Sequence, residues 1–151
     1  MTVQDFIVIY NETFKYVEKN YGRKQVDDLW AAISEEWCTH LRSLVAEKGL
    51  QGMNEYWGGD TGTLSREKAF YDISLKDGVF SIVMDACPSV NEIRERGFEV
   101  YTDYCEHCVA LYGPVVADYG FELKSYIERE AVTDIPTGKC RLIARKAEEN
   151  A

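Results

Sequence analysis

Apolar residues recur at every third or fourth position through the first third of the chain. Phe6, Ile9, Tyr10, Phe14 and Val17 share one face and predict a helix over residues 3–20, broken at Gly22. Val26, Leu29, Trp30, Ile33, Trp37, Leu41, Leu44 and Val45 continue the period and predict a second helix over about 24–48, with Gly49 as its stop. The GGDTG segment, Gly58–Gly62, reads as a loop. The period then falls to two. Tyr71, Ile73 and Leu75 alternate with Asp72, Ser74 and Lys76 over residues 69–76, and Asp77-Gly78 predicts a tight turn into a returning strand over 79–86.

Cys87-Pro88 ends that strand, because proline cannot donate to a ladder. Ser89 and Glu92 have the spacing of a capping box for a short helix through about Arg96. Residues 100–119 read as helical, kinked or divided by Pro114 and closed by Gly120. Phe121, Leu123, Ser125 and Ile127 mark one face of a third strand. Residues 133–138 read as a loop, and 139–146 as a fourth strand facing Cys140, Leu142 and Ala144 inward. The polar AEEN tail is expected to fray. The order ααββααββ predicts an α+β fold: an antiparallel four-stranded sheet with helices packed on one face, in a single domain over 1–151.

Composition narrows the function classes. The chain of 151 residues is 46% hydrophobic and 13% aromatic, which is that of a folded domain. No apolar run approaches the ~20 residues of a bilayer span, so no membrane partner is expected. Asp5 and the lack of a basic leader argue against a signal peptide, which points to the cytoplasm and to free thiols. Seventeen basic against 26 acidic residues give a net charge of -9, which repels a phosphate backbone and argues against nucleic acid. Oligomer formation stays open.

Four of the five cysteines fall in DACPS, YCEHCV and GKCRL. Three readings stand side by side: a metal site, a reactive thiol, or small residues packing a core. Cys105 and Cys108 share a helical face and, with Cys87 and Cys140, make a four-thiolate candidate set for zinc. His107 turns away from its two neighbours on a regular helix. Cys87 is the candidate nucleophile, since a helix N-terminus beside it would favour the thiolate. His107 is its candidate base, and Asp103, one turn earlier, a candidate orienting group.

Other residues stand less apart. Asp72 and Asp85 alternate into apolar strands, where a pocket-facing carboxylate could transfer protons and a margin-facing one only meets water. Cys38 reads as structural and His40 as a helix-surface residue. Tyr56, Trp57, Tyr101, Tyr104 and Tyr112 could wall a small-molecule cavity or fill a core.

The succession of Cys87-Pro88 after an apolar strand, YCEHC on a helix and GKC opening a last strand resembles the L-2-amino-thiazoline-4-carboxylic acid hydrolase family. The resemblance covers about the C-terminal 70 residues. It implies hydrolytic opening of a cyclic carbon–nitrogen bond on a small-molecule substrate, with Cys87, Cys105 and Cys140 as the positions carried over. His107 and Cys108 depart from that pattern. The expectation is a small hydrolase of this type, with Cys87 as nucleophile or ligand. The alternative is a non-enzymatic small-molecule or metal-binding sensor using the same cysteines, and a third reading is a structural or partner-binding domain.

Overall fold

Thr2 and Asp5 close a reciprocal capping box that starts the first helix, α1 (Val3–Tyr21). The computed structural model describes residues 1–67 and 70–148. Gly22, at φ 92°, turns the chain into α2 (Arg23–Trp37). The single long helix expected over 24–48 is two helices, α2 and α3 (Thr39–Lys48), broken at Cys38. The apolar stripe gives the reason. Trp37, placed by its period on the buried side, is 79% exposed, while Cys38 is buried with its thiol 3.8 Å from the Leu111 carbonyl. The break rephases the chain so that Leu41, Leu44 and Val45 point inward.

Gly49 ends α3, and α4 (Leu50–Trp57) and α5 (Thr63–Arg66) follow, with the GGDTG loop between them. Where α3 meets α4, a Cβ on Gly52 would lie 2.2 Å from the Leu44 carbonyl oxygen. Only a hydrogen fits there. Gly52→Ala is therefore expected to lower unfolding free energy by about 1–3 kcal/mol through overpacking, read as a lowered urea midpoint at unchanged slope.

The hairpin forms between β1 (Phe70–Lys76) and β2 (Val79–Ala86). Asp77 and Gly78 both have positive φ, 52° and 74°, as a tight turn between twisted strands requires. The expected start of the first strand at Ala69 lies outside the described residues. α6 (Pro88–Glu95) is capped by Cys87 with Pro88 in its first turn, so Ser89 sits inside the helix and no side-chain cap forms. Glu92 instead pairs with Arg96.

The expected helix over 100–119 is shorter and divided upstream of Pro114: a single 3-10 turn at Tyr104–Glu106 leads into α7 (His107–Ala117), which carries Pro114 inside it. β3 (Phe121–Arg129) and β4 (Pro136–Lys146) complete the sheet. Strand four begins three residues earlier than the pattern shows. Pro136 takes the first position, where a missing donor costs least, and Gly138 accepts the Cys87 N–H at 2.8 Å. Of the tail, Ala147 donates to the Gly120 carbonyl at 2.9 Å, while Glu149 and Asn150 lie outside the described residues.

The sheet order is β1-β2-β4-β3, antiparallel throughout, and the fold is α+β with the helices over one face. That face presents Phe80, Ile82, Met84, Leu123, Leu142 and Ala144, all buried. Asp72 and Asp85 alternate to the other side and are exposed. Ser34 Oγ donates to the Leu111 carbonyl at 2.6 Å and ties α2 to α7. Among the described residues no helix is long and apolar enough to cross a membrane.

Candidate functional site

Between α4, α7 and the sheet lies a largely enclosed cavity of about 290 Å³. Strand alternation builds its floor: Ile82 and Met84 of β2, Ser125 and Ile127 of β3, Cys140 and Leu142 of β4. Met84 and Ile127 are both register partners of Cys140, which places that thiol at mid-floor. Tyr56, Trp57 and Tyr112 form the aromatic wall, with ring centroids 5.0 to 5.9 Å apart. Trp57 also stacks on Phe80 at 5.6 Å and so anchors that wall to the sheet.

The other end brings together segments distant in sequence. Cys87 and Ser89 come from the start of α6, Tyr104 and Cys105 from the 3-10 turn, and His107 and Cys108 from the first turn of α7. All four C-terminal cysteines thus line one space, and Cys38 does not. They do not make a metal site. Among the described residues no group of three or more His, Cys, Asp or Glu is arranged to hold an ion, so the zinc set of Cys87, Cys105, Cys108 and Cys140 is corrected.

Electrostatics separates these thiols from activated ones. Burial pushes Cys87 up to about 11, outweighing the Val90 and Ser89 N–H groups that favour its thiolate. Burial also pushes Cys108 and Cys140 up to about 12, and raises Cys105. The helix N-terminus at Cys87 is therefore overridden by its apolar surroundings. All four are neutral thiols at pH 7.

The His107 ring packs edge-on against Tyr104, 4.8 Å between centroids, and burial lowers its pKa. Its Nδ1 contacts the Tyr104 carbonyl, so Nδ1 carries the hydrogen and Nε2 is an acceptor, 3.8 Å from the Cys108 sulfur. Asp103 is not its orienting group. That carboxylate pairs with Arg23 at 2.9 Å and Arg129 at 3.9 Å, outside the cavity wall. His40 lies against Tyr56, 5.8 Å between centroids, also outside it.

Sequence reasoning missed Glu67, which lines the cavity between α5 and β1 and whose pKa burial raises. Nothing in the local pattern singles it out: it follows Ser65-Arg66 in a polar stretch. Its role appears only once the chain folds it beside His107.

The raised thiols predict slow chemistry. Alkylation of Cys87 in the native protein should climb with pH until about 11, whereas an unstructured thiol levels off near 9. Mass mapping of alkylated peptides across pH checks this, with the urea-unfolded chain as the fast reference. The same shift lowers stability in alkali. Above pH 9 the unfolded chain releases thiol protons that the fold retains, so stability falls as pH rises from 9 through 11.

No family model and no curated protein matches this sequence. Among solved structures the chain is similar to trafficking protein particle complex subunit 3 from Naegleria fowleri, whose crystal structure has palmitic acid covalently bound. The likeness has a TM-score of 0.53 at 10% identity and covers 96% of this chain and 95% of that one. It overturns the expected kinship with the aminothiazoline-carboxylate hydrolases, and with it the hydrolase and metal-binding readings. Motifs of two to five residues around cysteines are satisfied here by thiols that line an apolar space. What the comparison establishes is the fold, shared with a subunit of a trafficking complex.

Proposed function

We propose that this protein is a non-enzymatic subunit that holds a small, largely apolar ligand in the cysteine-lined cavity. The observation that carries the reading is the cavity itself: enclosed, floored by aliphatic side chains, and at about 290 Å³ close to the lower end of the ~300–1,000 Å³ of small-molecule sites. The protonated thiols support it, since neutral cysteines behave as small hydrophobes. Palmitic acid on the structural neighbour supports an alkyl chain as occupant. Titration with a series of 1-alkanols tests it. Each added methylene should tighten binding by about 0.8 kcal/mol until the cavity is full, and Cys140→Phe, which occupies the floor, should abolish binding. A flat series, or one that Cys140→Phe leaves unchanged, would sink the reading.

The neighbour's place in a complex supports a second element, association of this chain with a second copy through α1. Ile9, Tyr16 and Phe98 stand exposed by 43 to 59% on one surface. The ion pairs Asp5–Arg96 and Glu12–Lys15 beside them put both signs of charge on that patch, as a self-complementary twofold contact needs. Sedimentation velocity is expected to give a dimer, and Ile9→Asp a monomer with unchanged circular dichroism. A monomeric parent chain at ~100 µM, weaker than micromolar association, refutes this element.

A further inference from the structure

The walls of the cavity carry charge of one sign. Among the described residues Glu67 is the only carboxylate that lines it, and neither lysine nor arginine does. Arg66, one residue before Glu67, is exposed and does not line the wall, and Lys68, one residue after it, lies outside the described residues. The polar groups that line the cavity with Glu67 include the His107 Nε2 acceptor and the hydroxyls of Thr63, Tyr56 and Tyr112. Glu67 lies within electrostatic reach of both His107 and Tyr56, and so between the histidine and the wall where Tyr56, Trp57 and Tyr112 meet edge to face.

On the reading that the cavity is a ligand site, we propose that its ligand carries a protonated amine on an apolar body, with the ammonium seated between Glu67, His107 and the Tyr56–Trp57–Tyr112 wall. The match is one of donors to acceptors. An alkylammonium has three N–H donors, and the site offers a carboxylate, an imidazole lone pair and phenol oxygens to receive them. The ring faces add cation–π attraction in a desolvated setting. A carboxylate or phosphate head would meet Glu67 with no lysine or arginine among the described lining residues to compensate. A neutral head gives Glu67 no charge partner inside the cavity, where burial already raises the pKa of that carboxyl. The apolar body then lies over Ile82, Met84 and Leu142.

Three probes of equal chain length separate the cases: octylamine, octanoate and 1-octanol, titrated by calorimetry at pH 7 into the parent chain and into Glu67→Gln. The amine is expected to bind roughly 10–100-fold tighter than the other two, the range of a charge-assisted pair. Glu67→Gln, nearly isosteric, should erase that preference. Octanoate binding as tightly as octylamine, or an amine preference that survives Glu67→Gln, overturns the proposal. Octanol binding with no amine preference overturns the ligand class and leaves the cavity reading intact. No binding of any probe overturns both. The ranking on the parent chain stands by itself if the variant does not fold.

Discussion

Phe14→Ala is expected to destabilise the fold by about 3–5 kcal/mol, the largest effect of any single truncation considered. The ring is fully buried and touches aromatic partners from three directions. Tyr10 lies 4.2 Å away by centroid on the same helix, Trp30 5.3 Å away on α2, and Tyr101 and Tyr104 each 5.9 Å away ahead of α7. His107 is at 6.1 Å, so the cluster backs Tyr104 and His107, which line the cavity. Removing the ring leaves a hole that rigid aromatics on separate helices cannot close. Urea unfolding measures the loss, and Phe14→Leu should recover more than half of it. A cost under about 1 kcal/mol for alanine would mean the cluster collapses freely, contrary to its packing.

The second large effect is polar. Asn11 is buried in α1 and bridges to a segment about ninety positions away: its Nδ2 donates to the Glu99 carbonyl at 2.9 Å, and its Oδ1 accepts the Tyr101 N–H at 2.8 Å. Asn11→Ala strands both backbone groups, and about 2–4 kcal/mol of stability is expected to go with them. Asn11→Asp separates the halves. It keeps an acceptor for Tyr101 but sets a carboxylate oxygen against the Glu99 carbonyl. Hydrogen exchange of the Tyr101 amide should therefore quicken in the alanine variant and stay protected in the aspartate one. Equal protection in both would place that amide's partner elsewhere.

The readable parts of this fold are those governed by local chemistry. Alternation around Asp77-Gly78 gives the hairpin, because a turn tolerating positive φ joins two runs of period two. Phe121 to Ile127 and Cys140 to Ala144 show their inward faces for the same reason. The break at Cys38 is not readable, since Trp37 keeps the helical period yet points to water. The start of β4 is hidden by Pro136 and Gly138, residues that usually mark loops. At the site, the cysteines are visible as a group but their role is not. Their chemistry depends on burial, and burial depends on which elements close over them. Glu67 has no local signal at all, and Asp103 has a good one that two arginines absorb.

The cavity takes its walls from residues 56 to 67, 82 to 89, 104 to 112 and 125 to 142. It therefore has no counterpart in any fragment that lacks part of 56–142, and it exists only after the last strand has docked. A folding intermediate that keeps α1 to α4 would offer nothing for a ligand to bind. If the cavity holds a ligand as proposed, occupancy would reward completed folding: at a hundred times its dissociation constant, a ligand confined to the native state adds about 2.7 kcal/mol. Chains that stall before β3 and β4 meet would gain none of it, so on the proposed reading a bound ligand would favour finished protein over stalled chains.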